Sequence, residues 1–262
     1  MKEQIQQALP AGFPWQLHWF DTIDSTSTRA KAMAAHGAPH GTVLIAGHQS
    51  AGRGRMGRSF CSDADMGVYL SVILRPGCKP EQLMHLTCAV GVAMCDAIRA
   101  VCGLQAGIKW VNDLVWNKRK LGGILTELSV NSKTGLVDYA VVGIGINCRQ
   151  KPEDFPEELR SMALSLEAAT QGAVSPVLVA AAMLKQLLEM DQKLLTGKAE
   201  FMNKYRDLCV TLGQTVQIVG ENVSGEAIDL TDDGSLIIRL SDGTLRQVGS
   251  GEVSVRGMYG YL

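Results

Sequence analysis

An arginine-rich loop with closely spaced glycines lies between two segments that are predicted as strands, and this order limits the possible folds. The loop spans residues 46–60 and reads Ala-Gly-His-Gln-Ser-Ala-Gly-Arg-Gly-Arg-Met-Gly-Arg-Ser-Phe. Strands are predicted before it, over 41–47, and after it, over 66–74. The spacing of Gly52, Gly54 and Gly57 matches a dinucleotide fingerprint, but that fingerprint opens a helix and is followed about 20 residues later by an acidic residue. The strand after the loop therefore argues against a doubly wound dinucleotide-binding fold.

The composition of the loop favours an anionic ligand. Arg53, Arg55 and Arg58 keep their charge at any working pH and offer planar sets of donors, while the glycines allow the backbone to approach a ligand closely. A nucleic-acid patch is disfavoured, because 25 Lys and Arg balance 26 Asp and Glu to a net charge of -1. On this motif alone, a solvated loop with chance arginines stays open as an alternative.

The whole chain has the composition of a globular protein. With 262 residues, 46% of them hydrophobic and 19% charged, it can bury a large core and has room for one large and one small domain. The first 20 residues hold no continuous apolar run, so we expect no signal peptide or membrane span, and a cytoplasmic location. Seven cysteines without a Cys-x-x-Cys pair predict reduced thiols rather than disulfides or a zinc site. Cys88, Cys95 and Cys102 are interpreted as small buried apolar groups.

Apolar periodicity and capping residues predict a mixture of helices and strands. Helices are predicted over 28–36, 81–101, 175–195 and 198–208. Two hairpins are predicted from strands at 108–116, 121–128 and 136–146. Short alternating strands follow from residue 212, separated by turns at 220–222, 232–234 and 241–243. We therefore expect a domain over 1–211 and a small β-barrel over 212–262.

Three further segments combine polar residues with strand patterns. They are Lys109-Trp-Val-Asn-Asp113, Lys120-Leu-Gly-Gly-Ile-Leu125 and Gly143-Ile-Gly-Ile-Asn147. Strand period predicts Lys109, Val111 and Asp113 on one face of the first segment. An acid and an amide at a strand end suit a metal or phosphate, and paired glycines inside a strand indicate a close approach to the backbone. The first segment taken alone is equally compatible with a strand whose polar residues merely contact water. A lysine in a hairpin is usually just solvated, but the paired glycines of the second segment favour a functional role.

Together with Asp24-Ser25-Thr26 and the arginine loop, these segments follow one another in an order that resembles the biotin protein ligases. The resemblance covers the chain from about Ile23 to its C-terminus, and the joint occurrence of the motifs is more specific than any one of them. It implies an α+β fold, in which a mixed sheet with packed helices, similar to class II synthetases, precedes an SH3-like β-barrel. The family often has proline where Val111 stands and tryptophan where Phe60 stands. The first departure affects backbone stiffness and the second affects stacking on adenine.

The resemblance also implies roles for individual residues. Hydroxyl and amide groups would bind the biotin head, and cationic and polar groups would bind ATP and the biotin carboxylate. The implied catalytic residues are Lys120, Arg55 and Asp113, and Asp113 would also hold Mg²⁺. The implied binding residues are Ser25, Thr26, Ser27, Gln49, Gly52, Arg53, Gly54, Arg55, Arg58, Phe60, Asn112, Lys120, Gly123 and Asn147.

The implied reaction uses ATP to convert biotin into biotinyl-5'-AMP and then transfers biotin to a lysine of a biotin carboxyl carrier protein. About 20 residues precede Asp24, fewer than a helix-turn-helix module needs, so we expect the short form of the family, which lacks the N-terminal DNA-binding domain. Neither DNA nor a membrane is expected as a partner. A lipoate or octanoate ligase or transferase of related fold is the alternative enzyme, and a catalytically silent biotin-binding protein is the alternative binding module. The arginine loop with Gln49 favours biotin, and the lysine, the Asn-Asp pair and the three arginines favour activity.

Overall fold

Two β-sheets with packed helices make up the computed structural model, which describes residues 1–218 and 223–249 and the backbone strand 255–257. The helices are α1 (Lys2–Ala8), α2 (Thr26–Ala35), α3 (Leu86–Cys102), α4 (Leu166–Thr170), α5 (Pro176–Lys193) and α6 (Lys198–Leu208). The strands of the larger sheet are β1 (Gln16–Ile23), β2 (Thr42–Gln49), β3 (Gly67–Leu74), β4 (Gly107–Lys109), β5 (Asp113–Trp116), β6 (Arg119–Val130) and β7 (Val137–Asn147). The smaller sheet, called the C-terminal sheet, contains β8 (Thr215–Ile218), β9 (Val223–Leu230), β10 (Leu236–Leu240), β11 (Leu245–Val248) and β12 (Val255–Gly257). The predicted turn at 220–222 lies outside the described residues.

The larger sheet has the strand order β1-β2-β3-β7-β6-β5-β4. β1 and β2 run parallel, while the other neighbouring strands pair antiparallel. Both faces of β2 are covered: Val43 and Ile45 belong to the main core, and Leu44 packs with Ala30 and Ala34 of α2 on the other face. This arrangement confirms the predicted mixed sheet with packed helices.

Helix α3 lies at the centre of the main core, where it packs against α5 and α6. It corresponds to the predicted helix at 81–101, except that residues Pro80–Leu83 form a separate 3-10 turn. Among the described residues, Pro80–Cys102 is the only helical segment long and apolar enough to cross a membrane by composition, and 67% of that window is buried inside the protein. Cys88 and Cys95 are buried in this helix and Cys102 is partly buried, in line with their interpretation as apolar groups.

The segment predicted as one strand over 108–116 is a hairpin instead. β4 and β5 pair antiparallel, with Lys109 opposite Asp113, and residues 110–112 form the turn between them. The peptide bond between Trp110 and Val111 is cis. Lys109 and Asp113 do share one face, because directly opposed residues of an antiparallel pair project to the same side. Val111 instead lies in the turn, so the assignment of all three residues to a single strand is wrong. A strand and a short hairpin can share the same apolar alternation, and here contacts with distant parts of the chain decide between them.

The C-terminal sheet is antiparallel and has the strand order β11-β10-β9-β8-β12. Its inward side chains, among them Val216, Leu230 and Leu236, are continuous with the main core. The sheet therefore packs directly on the larger part of the molecule. Together the two parts confirm the predicted α+β fold followed by a small β unit.

Candidate active site

A cavity of about 880 Å³ lies between the arginine loop, the ends of β5 to β7 and the chain segment 155–163. Its size falls in the range typical of small-molecule sites. Of the residues predicted to bind ligand or catalyse, the following line the cavity: Thr26, Ser27, Gln49, Arg53, Gly54, Arg55, Arg58, Phe60, Asn112, Asp113, Lys120, Gly123 and Asn147. The fold thus brings together side chains that are up to about 120 positions apart in sequence.

Two predicted residues lie outside this lining. Ser25 is the N-cap of α2, and its side chain accepts a hydrogen bond from the backbone N–H of Thr28. Gly52 lies at the base of the loop, where a Cβ would be 2.8 Å from Ser62 Oγ. The atoms packed closely around Gly52 therefore belong to the protein's own chain, at and just after the end of the loop. Each of the two residues directly precedes a residue that lines the cavity, Thr26 and Arg53 respectively.

One end of the cavity is lined by neutral hydrogen-bonding groups. Gln49 Oε1 accepts hydrogen bonds from the backbone N–H of Thr26 at 2.8 Å and from the Thr26 hydroxyl at 3.0 Å. Gln49 Nε2 donates to Ser62 Oγ at 2.8 Å, and Ser71 Oγ donates to Thr26 Oγ1 at 2.9 Å. Ser27 Oγ lies 3.0 Å from Ser71 Oγ. These bonds fix the orientation of the polar groups, since each group already has a partner inside the protein.

The arginine loop folds back on itself as a small hairpin over the cavity. Arg53 and Ser59 form an antiparallel bridge, and Gly54 N–H donates to the carbonyl of Arg58 at 2.7 Å. At the tip, Met56 and Gly57 have φ values of 54° and 74°. Glycine adopts this left-handed region at no steric cost, so Gly57 is required by the turn.

The three arginines of the loop point to different partners. Arg55 donates to Asn112 Oδ1 at 3.1 Å across the cavity, and Asn112 Nδ2 donates to the carbonyl of Ile124 at 2.9 Å. Arg53 forms an ion pair with Glu127 at 3.4 Å, and Glu127 also pairs with Lys31 at 2.7 Å. Arg58 lines the cavity and is exposed to solvent. Arg55 is therefore the arginine held most directly against the polar pair Asn112-Asp113.

Burial lowers the pKa of the Arg55 guanidinium, and the carboxylate of Asp113 acts in the opposite direction. An arginine has so high a pKa that it stays charged at neutral pH even when partly buried. A permanent cation is thus placed in a largely enclosed site, where its field is screened less than at the surface.

Lys120 and Asp113 lie next to each other on neighbouring strands. Lys120 Nζ donates to Asp113 Oδ1 at 2.5 Å. Gly123 makes room for this pair, because a Cβ at that position would be 3.3 Å from Lys120 Nζ. Gly122 instead contacts the neighbouring strand, where a Cβ would be 3.2 Å from Ile146 Cα. Only Gly123 of the two paired glycines is therefore explained by the site.

Strand β7 forms the floor of the cavity through alternate residues. Gly143, Gly145 and Asn147 share one face, since side chains alternate along a strand, and they span roughly 13 Å. A Cβ at Gly143 would overlap Ser27 Oγ, and one at Gly145 would lie 2.6 Å from the Phe60 ring. The Phe60 ring thus lies directly over the middle of the floor, in edge contact with Tyr69 at 6.3 Å. Asn147 Nδ2 donates to the carbonyl of Leu164 at 3.2 Å, at the far end from Ser27.

Sequence reasoning missed part of the wall. Lys109 and Trp110 belong to a motif that it singled out, yet neither was assigned a role. Other missed lining residues include Lys118, Arg119 and, from the segment 155–163, Phe155, Leu159, Ser161, Met162 and Ala163. The segment 155–163 is held by Arg119, which donates to the carbonyls of Arg160 at 3.1 Å and Ala163 at 2.6 Å. The proline- and glutamate-rich sequence before it carries no pattern that indicates a ligand site.

The donor set does not indicate a preformed metal cage. Within residues 1–218 and 223–249 no group of three or more His, Cys, Asp or Glu side chains is arranged to hold a metal ion. Asp113 is the carboxylate on the cavity wall that lies closest to the cationic groups.

Comparison with known proteins gives two family matches along the chain. Residues 19–147 match the Biotin/lipoate A/B protein ligase family, and residues 211–256 match the Biotin protein ligase C terminal domain. The first match contains the arginine loop and all the motifs described above. The second begins immediately after α6.

Individual relatives agree with this assignment. The biotin--[acetyl-CoA-carboxylase] ligase of Mycobacterium tuberculosis is 33% identical over 256 residues, which cover 94% of this chain and 92% of the relative. The bifunctional ligase/repressor BirA of Bacillus subtilis is 31% identical over 242 residues, covering 91% of this chain and 74% of the relative.

Solved structures give the same result. The biotin protein ligase of Aquifex aeolicus in complex with biotin and ATP superimposes with a TM-score of 0.79 at 30% identity, over 92% of this chain and 99% of that structure. These relatives favour a biotin ligase over a lipoate ligase. From its family matches and its likeness to whole enzymes of known structure, the chain belongs to the biotin protein ligase family.

Proposed function

We propose that this protein uses ATP to activate biotin as biotinyl-5'-AMP and then transfers the biotinyl group to one lysine of a biotin carboxyl carrier protein. The observation that supports this most directly is that neutral hydrogen-bonding groups and cationic groups line one shared cavity. The relatives named above, a biotin--[acetyl-CoA-carboxylase] ligase and an Aquifex ligase with biotin and ATP bound, match this chain over more than 90% of both lengths.

The two ends of the cavity suit the two substrates. The ureido ring of biotin is neutral and offers both donors and acceptors, which the groups of Thr26, Ser27 and Gln49 can match. The nucleotide then occupies the rest of the cavity, where Phe60 offers an aromatic ring over the middle of the floor and Asn147 an amide at the far end. Arg55, Asn112 and Lys120 lie between the two ends, where the biotin carboxylate meets the α-phosphate.

In the first step a carboxylate oxygen of biotin attacks the α-phosphorus of ATP. The new O–P bond forms as the bond to the α,β-bridging oxygen breaks, and pyrophosphate leaves with the electron pair. Two negatively charged groups must approach each other, so fixed cations aimed at the reacting atoms are the main catalytic device. Arg55 of the arginine loop and Lys120 of β6 supply that charge, each held by one residue of the Asn112-Asp113 pair.

ATP is expected to enter as its magnesium complex. Magnesium is usually held by one or two carboxylates together with substrate phosphates, and Asp113 supplies one carboxylate at the right place. Arg53, Gly54 and Arg58 would complete the enclosure of the adenylate from the loop side.

In the second step the ε-amine of the acceptor lysine attacks the carbonyl carbon of the adenylate. The C–N bond forms, the C–O bond to phosphate breaks and AMP leaves. The attacking amine must lose a proton, and Asp113 is the candidate base. Because the mixed anhydride hydrolyses in water, the loop that covers the cavity also protects the intermediate.

The proposal assigns this chemistry to residues 1–211, with 212–262 as a supporting β domain, and includes a cytoplasmic location. All seven cysteines are free thiols, which fits a reducing compartment. The acceptor is a biotin carrier domain, and DNA and membranes are not proposed as partners.

A single reaction mixture tests the proposal. The purified chain is mixed with biotin, Mg²⁺, α-labelled ATP and an acceptor domain, and labelled adenylate and biotinylated acceptor are measured. Parallel mixtures contain lipoate or octanoate in place of biotin, or an acceptor whose target lysine is replaced by arginine. We expect both products with biotin and only the adenylate with the arginine acceptor. Acceptor modification by lipoate but not by biotin would contradict the proposal.

A further inference from the structure

The turn that carries Asn112 and Asp113 is attached to the C-terminal part of the chain by buried hydrogen bonds. The backbone N–H of Trp110 donates to Thr211 Oγ1 at 2.9 Å, and the indole Nε1–H of Trp110 donates to the carbonyl of Gly234 at 2.9 Å. Tyr205 Oη–H donates to the carbonyl of Val111 at 3.1 Å. Trp110 is only 5% exposed and Thr211 only 4%, so loss of a partner would leave a buried polar group unsatisfied.

The acceptor on the C-terminal sheet is itself held rigidly. Gly234 lies in the turn between β9 and β10 with φ 84°, and a Cβ there would be 2.8 Å from Cys88 Sγ of α3. The same turn is fixed from α6, because Arg206 donates to the carbonyl of Leu230 at 2.8 Å and pairs with Asp232 at 3.0 Å. The position of the Gly234 carbonyl is thus determined by contacts with both helices.

The same turn also faces the cavity, which Trp110 itself helps to line. Asn112 accepts from Arg55, and Asp113 accepts from Lys120. Only one or two residues separate these groups from Trp110, so any displacement of Trp110 changes their position. By contrast, Thr26 is held by a bond to Ser71 of β3 and Gln49 by a bond to Ser62 in the segment before β3, and both partners are remote in strand order from β4 and β5.

We propose that Trp110 is a positioning residue through which the C-terminal sheet fixes Asn112 and Asp113 for nucleotide binding and adenylate formation. The inference rests on the proposed function. It predicts a division within the site: the nucleotide end depends on the C-terminal sheet, and the biotin end does not.

Thermodynamic linkage adds a reciprocal consequence. If docking of the C-terminal sheet favours nucleotide binding, nucleotide binding must favour that docking by the same factor. Occupation of the cavity should therefore slow local opening of the 231–235 turn, although this turn is separated from the nucleotide by Trp110.

The test uses the full chain with Trp110→Phe, which keeps an aromatic ring but lacks the indole donor, and Thr211→Val, which removes the acceptor at nearly constant shape. Trp15→Phe is the matched control, because Trp15 is also buried but packs against Phe13 and His40 away from the cavity. For both test variants we expect kcat/KM for ATP in adenylate formation to fall by about tenfold, as for loss of one buried hydrogen bond. Biotin affinity should be unchanged. The control should lose thermal stability without this selective effect.

Hydrogen exchange in the presence of α,β-methylene ATP supplies the second measurement. We expect the nucleotide to slow exchange of residues 231–235 in the wild-type chain and to do so less in Trp110→Phe. The inference would be overturned if the test variants lost biotin and ATP binding equally, or if their losses merely followed thermal stability as in Trp15→Phe. It would also be overturned if the nucleotide had no effect on hydrogen exchange of residues 231–235. A wild-type chain that binds the analogue but forms no biotinyl-adenylate would instead refute the proposed function, and the exchange measurement would still decide the coupling.

Discussion

Lys120 and Asp113 form an ion pair between adjacent strands, with Nζ 2.5 Å from Oδ1. Their side chains are 29% and 17% exposed, so the pair is largely withdrawn from solvent but still opens onto the cavity. The carboxylate holds the ammonium group in place before a ligand is bound. Under the proposed function, the ammonium would exchange one anionic partner for another when phosphate binds, without leaving the site, which would limit the reorganisation required during catalysis.

Removal of the Lys120 ammonium group should affect activation more than binding. We expect Lys120→Ala to lower the rate of adenylate formation at least a hundredfold, since one preorganised electrostatic partner contributes about 3 kcal/mol. Biotin affinity, measured by calorimetry, should fall much less. Lys133→Ala, in the exposed turn between β6 and β7, is the control. Turnover near that of wild type in Lys120→Ala would refute the catalytic role.

The role of Asp113 can be separated into metal binding and proton transfer. Asp113→Asn keeps the shape of the side chain but removes its charge. If the carboxylate helps to hold Mg²⁺, the concentration of Mg²⁺ needed for half-maximal adenylate formation should rise by at least about tenfold. This is measured with saturating ATP and biotin. An unchanged Mg²⁺ requirement together with slow transfer from preformed adenylate would assign Asp113 to the acceptor lysine instead.

Substitution of the two glycines on the cavity floor, Gly143 and Gly145, should affect the binding of biotin and of ATP differently. A Cβ at Gly143 would overlap Ser27 Oγ, whereas one at Gly145 would press on the Phe60 ring. We expect Gly143→Ala to weaken biotin binding and Gly145→Ala to raise the KM for ATP, each by about tenfold or more, as overpacking costs about 1–3 kcal/mol. Separate titrations with biotin and with ATP measure both constants. The same change in both constants for either variant would contradict the assigned orientation.

His40 should make a pH-dependent contribution to stability away from the site. Its hydrogen bond to Asp191, with Nε2 2.9 Å from Oδ2, raises the pKa of His40 above 6.5, and partial burial opposes this shift. A group whose pKa is raised by folding stabilises the protein fully below its unfolded pKa, and the stabilisation is lost as pH rises through the folded pKa. We therefore expect Asp191→Asn to lower the free energy of unfolding below about pH 6.5, and this effect to disappear as pH rises through the raised pKa of His40. The difference should stay below about 1 kcal/mol, because the His40 side chain is 39% exposed.

Urea denaturation of wild type and Asp191→Asn at several pH values measures this component, since titration of other groups cancels in the difference. A difference that increases with pH would contradict the assignment.

Local sequence patterns predicted most regular elements. The helix predicted at 198–208 has the bounds of α6, and the arginine loop lies between the expected strands. Helix α1 and strand β1 were missed because they are short and carry mixed polar and apolar residues, and α4 has only five residues. The hairpin of β4 and β5 was predicted as one strand, because its reversal depends on Thr211 and Tyr205, which are about 100 positions away.

The sequence by itself determined which chemical groups the site contains, because the glycines, arginines and polar pairs occur in short motifs whose local geometry depends on neighbouring residues. Only the tertiary structure decided which partners these groups contact and which of them line the cavity. It directs Arg53 toward Glu127 and Arg55 toward Asn112, leaves Ser25 and Gly52 outside the cavity lining, and adds Trp110 and the 155–163 wall. The physical reason is that hydrogen bonds and ion pairs form between groups that the folded sheet brings close together, and spacing along the chain does not encode that proximity.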